Sequence, residues 1–216
     1  MSIKIVLADD HAILRDGLSR SFERQSDIEV VGQAADGLAA IDLVRKLKPD
    51  VIVMDIGMPE LNGIEATRRI AKDFPEVKVI GLSMHSGDKY VREMFKAGAS
   101  GYLLKNCPFE ELVEAVRAVA AGKTYISPSI GEMIVQEYAG KPNEEKSVFS
   151  VLSVREREVL QQLAEGKTTK QAAMALHISP KTIEVHRLNL MGKLGIDNIA
   201  QLTKYAIQEG LTEVEQ

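Results

Sequence analysis

The stretch VIVMDIGMPELNG, residues 51–63, is an apolar run that stops abruptly at Asp55 and is followed by Gly, Pro and a second Gly. A short apolar run without alternation is typical of a parallel strand that is covered on both faces. Polar residues close strands routinely, so Asp55 alone indicates nothing. Its meaning depends on which other side chains the fold brings beside it.

The first 120 residues alternate five times between a short β-rich run and an amphipathic helical pattern. Strands separated by helices of this length pair in parallel through crossover connections, with helices on both faces of the sheet. We therefore predict an α/β doubly wound five-stranded parallel sheet. Its strands are expected at residues 3–8, 28–34, 50–55, 77–83 and 101–104.

The remainder of the chain has a different pattern. Residues 123–150 are predicted to be a linker with a short helix in SIGEMIVQEYAG, followed by a polar stretch that contains Pro142. Residues 151–216 contain four helical segments separated by Gly, Ser-Pro and Gly-Ile-Asp. This pattern predicts a small all-α domain of about 65 residues, within the size range that folds alone.

Composition limits the class of protein. The 216 residues are 45% hydrophobic with a formal net charge of -4, which suits two ordinary domains. No apolar stretch approaches the ~18 residues needed to span a bilayer, and Asp9 comes too early for a signal peptide. We expect a cytoplasmic protein without membrane contact. The single cysteine, Cys107, excludes an internal disulfide and a multi-cysteine metal site.

Polar side chains follow the carboxyl ends of four predicted strands, where doubly wound sheets bind ligands. They are Asp9, Asp10, Asp55, Ser83 and Lys105. Three carboxylates suit Mg²⁺, and His11 is the only His or Cys beside them. Either of the first two aspartates could instead cap the following helix, but capping does not account for Asp55 and Lys105 together.

These side chains suit phosphoryl chemistry. A carboxylate such as Asp55 can attack phosphorus to form an acyl phosphate, and the developing charge then needs a cation and a fixed positive group. Lys105 can supply that charge, and Ser83 can donate a hydrogen bond to the phosphoryl group. Tyr102 could turn inward when Ser83 moves toward it, or could simply be a half-buried packing residue.

The same positions resemble the flavodoxin-like receiver domain of bacterial two-component response regulators, over residues 1–122. The resemblance implies that a sensor histidine kinase phosphorylates Asp55. It also implies that Ser83 and Tyr102 form a conformational switch pair and that Lys105 contacts the phosphoryl group. The Mg²⁺ ligands implied in this way are Asp9, Asp10, Asp55 and the carbonyl of Gly57.

The second domain contains TTKQAAMALHISPKTIEVHRLNL, a pattern of helix, tight turn and helix. Ser179 is a good N-cap and Pro180 suits the first helical position. Ile183, Leu190 and Leu194 are predicted to face inward, which leaves the opposite face free to enter a major groove. Residues 1–120 contain 16 Lys and Arg against 19 Asp and Glu, whereas residues 167–193 contain five against one.

Residues 152–207 are similar to the LuxR-type helix-turn-helix domain, and joined to a receiver they identify the NarL/FixJ family of response regulators. The resemblance implies binding to double-stranded DNA, dimerisation and contact with RNA polymerase. Glu184, Val185 and Leu188 would face the bases. The candidates for phosphate contact are Lys170, Lys181, Thr182, Arg187 and Lys193.

The final helix, NIAQLTKYAIQ, has an apolar stripe of Leu202, Ala206 and Tyr205. This stripe could pair two domains on a palindromic site, or it could close the small core, or both.

The primary hypothesis is therefore a two-component response regulator without enzymatic turnover, in which phosphorylation of Asp55 controls sequence-specific DNA binding and transcription. Its inactive state either covers the recognition helix or stays monomeric. Two alternatives remain. One is a Mg²⁺-dependent phosphohydrolase, although the position of its general-acid aspartate is Gly57 here. The other is a protein-binding regulator whose helical domain no longer binds DNA.

Overall fold

The computed structural model describes residues 2–84, 87–132 and 148–212. The first domain contains β1 (Ile3–Ala8), α1 (Ala12–Phe22), β2 (Ile28–Ala34), α2 (Gly37–Leu47), β3 (Val51–Asp55), α3 (Gly63–Asp73), β4 (Lys78–Ser83), α4 (Asp88–Ala97), β5 (Gly101–Leu104), α5 (Phe109–Ala120) and β6 (Tyr125–Ile126). The second contains α6 (Val148–Val151), α7 (Val154–Ala164), α8 (Thr169–Ala175), α9 (Pro180–Leu194) and α10 (Ile199–Gln208).

All strands of the sheet pair in parallel, in the order β2-β1-β3-β4-β5-β6. The strand order reverses between β1 and β3, which places the predicted ligand edge at the carboxyl ends of these two strands. The doubly wound parallel sheet is confirmed. The structure adds β6, a strand of two residues that pairs with Gly101 and Tyr102 and is too short to give an apolar run in the sequence.

Side chains alternate between the two faces of the sheet. Ile52 and Met54 pack with α2, α3 and α4 in one hydrophobic cluster, whereas Val51 and Val53 pack with α5 and Phe22 of α1 in another. Because both faces of β3 are covered, all five of its residues are buried. This burial explains why the run at 51–54 shows no polar alternation.

The second domain has one core, to which all its helices contribute. Ser153 and Thr168 each form a capping box that begins α7 and α8, and Ser179 caps α9 ahead of Pro180 as predicted. Leu202 and Ala206 of α10 are fully buried in this core. Of the two interpretations of the last helix, closure of the core is therefore observed, and an exposed stripe of these two residues is wrong.

The predicted linker is described only at its ends. Residues 128–132 are helical, and α6 begins at Val148, whose side chain is fully buried in the core of the second domain. The rest of SIGEMIVQEYAG and the stretch around Pro142 lie outside the described residues. The boundaries at 122 and 150 stay a prediction. In the part of the chain that is described, no helix has the length and apolar character needed to cross a membrane.

Polar contacts join the two domains. Helix α7 buries several polar side chains, and those of Arg157, Glu158 and Gln161 contact α3 or the loop that precedes it. Gln161 accepts hydrogen bonds from the backbone and side-chain nitrogens of Asn62, both at 3.0 Å, and donates to the carbonyl of Met58 at 2.9 Å. Asn62 is the N-cap of α3, so Gln161 contacts the loop that follows Asp55.

Ion pairs surround this contact. Arg157 lies 2.6 Å from the carboxylate of Glu65, and the two side chains are 4% and 0% exposed. Arg69 pairs with Glu158 beside it, and Lys89 of α4 lies 3.1 Å from Glu209 just beyond α10. The face of α9 that is predicted to contact DNA lies outside this interface, because Val185 and Leu188 remain 49% and 71% exposed.

The loop between β3 and α3 is held tightly against its own strand. A Cβ atom added to Gly63 would lie 1.8 Å from the carbonyl oxygen of Asp55, a distance that requires the backbone to move. The backbone N–H of Gly63 also donates to the carbonyl of Ile56 at 2.9 Å. Glycine is therefore required here for close approach.

We predict that Gly63→Ala lowers the melting temperature, because overpacking of this kind costs about 1–3 kcal/mol or more. Gly17→Ala on α1 is the matched control, since nothing lies within 4 Å of its added Cβ atom. Alanine inside a helix gains about 0.5–1 kcal/mol over glycine, so the control should be unchanged or more stable. Calorimetry of both variants measures the difference, and equal melting temperatures would contradict the prediction.

Candidate functional site

Four side chains meet at the carboxyl ends of β1 and β3. Ala8 and Met54 are paired across these strands, so Asp9 and Asp55 follow at the same edge. Donor atoms of Asp9, Asp10, His11 and Asp55 all lie within 4.8 Å of one another. The structure thus brings together the three carboxylates that the sequence predicts.

Lys105 bridges two of these carboxylates. Its Nζ atom lies 2.8 Å from Oδ2 of Asp55 and 2.9 Å from Oδ2 of Asp9, and its side chain is 7% exposed. Burial opposes the ammonium charge, but attraction to Asp55 and hydrogen bonds to both carboxylates raise the pKa of Lys105 above its ordinary value. Lys105 is therefore a fixed positive charge at this edge.

Burial raises the pKa of Asp55 to about 6, and the nearby charges of Asp9 and Asp10 add to the rise while Lys105 opposes it. Oδ1 of Asp55 accepts a hydrogen bond from the backbone N–H of Ile56 at 2.7 Å, which fixes the carboxylate plane. The ionised form of Asp55 is thus disfavoured mainly by burial, even with Lys105 beside it. A divalent cation placed here would favour the ionised form.

The donor set fits such a cation. Carboxylate oxygens are the ligands that Mg²⁺ prefers, and the side chain of Asp10 is 31% exposed, which leaves the cluster open to solvent on that side. Capping does not explain the aspartates, because the N-cap of α1 is His11 and makes no side-chain hydrogen bond to the helix. Gly57, whose carbonyl is a predicted ligand, lies buried in the loop after Asp55.

Ser83 and Tyr102 lie on the adjacent strands β4 and β5. Ser83 ends β4, and Tyr102 of β5 is fully buried rather than half-buried. The two side chains hydrogen-bond to each other, and burial raises the pKa of the Tyr102 hydroxyl well above its ordinary range. Tyr102 is therefore turned inward toward Ser83 in this structure.

Helix α9 divides into an inward and an outward face, as its sequence predicts. Ile183 and Leu190 are fully buried, and Leu194 is partly buried. The residues predicted to face bases are all exposed, namely Glu184, Val185 and Leu188. These side chains stand free on one face of the helix.

The predicted phosphate contacts fall into two groups. Lys170 and Lys181 are exposed, and Arg187 lies beside Lys167 in a surface depression at the start of α8. In contrast, Thr182 hydrogen-bonds to Ser179, and Nζ of Lys193 lies 2.7 Å from the Glu156 carboxylate. The last two would have to exchange these partners in order to reach a phosphate.

Two family models match the chain on either side of the linker. The response regulator receiver domain matches residues 5–117, and the bacterial regulatory proteins of the luxR family match residues 150–206. The chain is a NarL/FixJ-family response regulator. The cluster of Asp9, Asp10 and Asp55 at the carboxyl ends of β1 and β3, here called the acidic edge, accordingly belongs to the receiver domain. Helix α9 belongs to the LuxR-type DNA-binding domain.

Known proteins agree with this assignment. The oxygen regulatory protein NreC of Staphylococcus aureus (strain JH9) is 40% identical over 98% of this chain and 100% of its own length. A LuxR-family two-component response regulator from Aurantimonas sp. SI85-9A1 is 40% identical, with a TM-score of 0.62 over 64% of this chain and 99% of its own. RcsB of Salmonella enterica serovar Typhimurium, solved on the promoter rprA with a phosphomimetic, is 28% identical, with a TM-score of 0.63 over 95% and 98%.

The polar contacts between the domains were not predicted from the sequence. Gln161 and Asn62 are 99 residues apart, and neither stands in a motif that points to the other. The buried pair of Glu65 and Arg157 is similarly remote. Helical periodicity points the other way, because Arg157 and Gln161 lie opposite the apolar stripe of α7 and would be assigned to a solvent-exposed face.

The pKa of Asp55 predicts how its substitution acts on stability in metal-free buffer. Because the folded-state pKa of about 6 lies above the ordinary value of 3.8, the ionised carboxylate destabilises the fold above pH 6. We expect Asp55→Asn to raise the free energy of unfolding at pH 8 by about 1–3 kcal/mol, and by progressively less as the pH falls toward 4. Asp42→Asn, at an exposed position on α2, is the control.

Chemical denaturation at pH 4.5, 6 and 8 measures this effect. A stabilisation by Asp55→Asn that does not change with pH would show that ionisation of this carboxyl is not its cause.

Proposed function

We propose that phosphorylation of Asp55 by a sensor histidine kinase, with Mg²⁺ as cofactor, controls the binding of α9 to a specific DNA sequence and so controls transcription. The bridge from Lys105 to Asp55 and Asp9 is the observation that carries this proposal. It supplies a buried nucleophilic carboxylate with a fixed cation beside it, which is what transfer of a phosphoryl group to oxygen requires.

Each residue at the edge has a role in the transfer. An oxygen of Asp55 attacks the phosphorus and the histidine nitrogen of the kinase leaves, so that an acyl phosphate replaces a phosphohistidine. Asp9, Asp10, Asp55 and the Gly57 carbonyl would hold Mg²⁺, which supplies positive charge for the phosphoryl oxygens. Lys105 exchanges its Asp55 contact for a phosphoryl oxygen, and Ser83 donates its hydroxyl to another.

The hydrogen bond between Ser83 and Tyr102 supports a role for this pair as a switch. When the Ser83 hydroxyl turns to a phosphoryl oxygen, Tyr102 loses or shifts its partner within the core. Local rearrangement at β4 and β5 would then follow from phosphorylation of Asp55.

The loop after Asp55 connects this chemistry to the second domain. Met58 and Asn62 bond to Gln161 of α7, so a shift of the loop changes the docking of the two domains. Of the two inactive states considered above, exposure of Val185 and Leu188 favours the one that stays monomeric over the one that covers α9. We propose that phosphorylation releases α7 and permits two DNA-binding domains to pair on a palindromic site.

Relatives support the DNA part of the proposal. RcsB has been solved on the promoter rprA in the presence of a phosphomimetic, and as two dimers on two parallel DNAs. By analogy this chain would bind double-stranded DNA as a homodimer in the cytoplasm and contact RNA polymerase beside the promoter. Turnover as a phosphohydrolase has less support, because Gly57 offers no side chain as a general acid.

We predict that Asp55→Asn abolishes phosphate incorporation from a kinase or from acetyl phosphate, because the neutral side-chain amide of asparagine cannot act as the carboxylate nucleophile that forms an acyl phosphate. Asp16→Asn, exposed on α1, should incorporate phosphate like the natural chain. Phosphate-affinity gel electrophoresis measures the fraction modified. Stoichiometric labelling of Asp55→Asn would refute Asp55 as the phosphoacceptor.

If phosphorylation acts by releasing α7 from the receiver, a substitution that weakens this contact should have the same effect on DNA binding. Gln161→Ala removes the hydrogen bonds to Asn62 and Met58, each worth about 1 kcal/mol, so docking should weaken by about 1–3 kcal/mol. The unphosphorylated variant should then bind its DNA site nearly as tightly as the natural chain does with beryllofluoride. Gln208→Ala, exposed at the end of α10, is the control.

Fluorescence anisotropy with a selected duplex at one fixed salt concentration compares these proteins. If Gln161→Ala keeps the full dependence on beryllofluoride, docking through α7 does not control DNA binding.

The outward face of α9 yields a separate prediction. Lys181→Ala should weaken binding to all duplexes alike and lower the dependence of log affinity on log salt by about 1, because one phosphate contact is lost. Leu188→Ala should instead change the preference at one base pair. Lys46→Ala in the receiver serves as the control for lost charge. A base-specific effect of Lys181→Ala would contradict its assignment to phosphate.

A further inference from the structure

We propose that His11 is a ligand of the cation at the acidic edge, so that this receiver binds transition metals such as Mn²⁺ through a mixed set of carboxylate oxygens and one imidazole nitrogen. The inference rests on the proposed function, because it concerns the cation that assists Asp55. It extends the set of ligands by a residue whose chemistry differs from the others.

The position of the ring carries the proposal. Nδ1 of His11 lies 2.8 Å from Oδ1 of Asp10 and 3.3 Å from Oδ1 of Asp9. Donor atoms of these residues and of Asp55 fit within a span of 4.8 Å. Ligands bonded to one small divalent ion at ~2.1 Å lie about 3 Å apart when adjacent and about 4.2 Å apart when opposite. The four donors therefore need only small movements to share one ion.

The contact between His11 and Asp10 has the features expected of neighbouring ligands. Oδ1 of Asp10 is buried and accepts no hydrogen bond from any described residue, although Nδ1 is only 2.8 Å away. The 2.8 Å contact therefore brings two potential ligand atoms together without a hydrogen bond between them. Two ligands of one ion behave in this way, because each points toward the metal and not toward the other.

The backbone holds His11 at the edge while leaving its ring free to adjust. The N–H of His11 donates to Oδ1 of Asp9 at 2.8 Å, which fixes the start of α1 beside the carboxylates. His11 is the N-cap of α1, yet its side chain makes no capping hydrogen bond and is 59% exposed. The imidazole is therefore not needed to cap the helix.

Ligand chemistry predicts which metals gain from this arrangement. Imidazole is a borderline ligand that suits first-row transition metals, whereas Mg²⁺ strongly prefers oxygen. Loss of His11 should therefore weaken Mn²⁺ binding by about three- to tenfold and change Mg²⁺ binding by less than about twofold. If His11 only formed an ion pair with Asp10, the two metals would respond alike.

The test uses Mn²⁺ on the full-length chain and electron spin echo envelope modulation, which detects ¹⁴N nuclei bonded to the metal. The natural chain should show modulation from one coordinated imidazole, and His11→Asn should lose it. Asparagine is a preferred N-cap, so this variant should keep α1. His177→Asn is the matched control, because His177 is exposed with φ +53 and asparagine tolerates that conformation.

Titration of Mn²⁺ and Mg²⁺ by calorimetry accompanies the spectra, with Asp10→Asn included. Mn²⁺ that binds through Asp10 without ¹⁴N modulation, or modulation that survives His11→Asn, would overturn the role of His11 and leave the proposed cation site intact. Mn²⁺ and Mg²⁺ binding that does not depend on Asp10 would instead remove the cation site on which the proposed function rests.

Discussion

Repulsion among three carboxylates is the constraint on which the rest of the site depends. Parallel pairing of β1 and β3 brings Asp9 and Asp55 to one edge, and two like charges 4 Å apart near a protein surface repel by roughly 4 kcal/mol. Lys105 balances part of this charge, and burial together with the remaining repulsion from Asp9 and Asp10 keeps the pKa of Asp55 raised. A bound cation, or a phosphoryl group with its cation, would change the net charge at this edge. The contacts of Lys105 and of the carboxylates would then change with it.

The contact between the domains contains many polar groups, and it includes the loop that follows Asp55. It includes the buried pair of Glu65 and Arg157, and hydrogen bonds that Gln161 accepts from Asn62 and donates to Met58. Buried ion pairs contribute little net stability once desolvation is counted, although loss of one partner is costly. Separation of the domains returns these groups to water, and it also exposes the contact of Phe149 with a hydrophobic cluster of the receiver. Such an interface is consistent with the release of α7 proposed above.

Much of this fold could be predicted from the sequence, because period-2 and period-3.6 patterns report local burial. The strands at 3–8, 28–34 and 101–104 were placed to the residue, and the edge carboxylates followed from strand order alone. Two classes of feature were not accessible. The apolar spacing around Leu202 is the same whether this residue closes the core of its own domain or pairs two chains. The contact of Gln161 with Asn62 joins two distant residues, and the periodicity of the sequence gives no information on such a contact.

The short strand β6 bears on how this molecule behaves in a crowded cell. A parallel sheet that ended at β5 would present Gly101–Leu104 as an open row of backbone donors and acceptors, a template for strands of other molecules. Tyr125 and Ile126 occupy half of that row, and the backbone N–H of Ser127 donates to the carbonyl of Tyr102. What remains at this border is two residues long, too little to seed the edge-to-edge stacking from which aggregates grow.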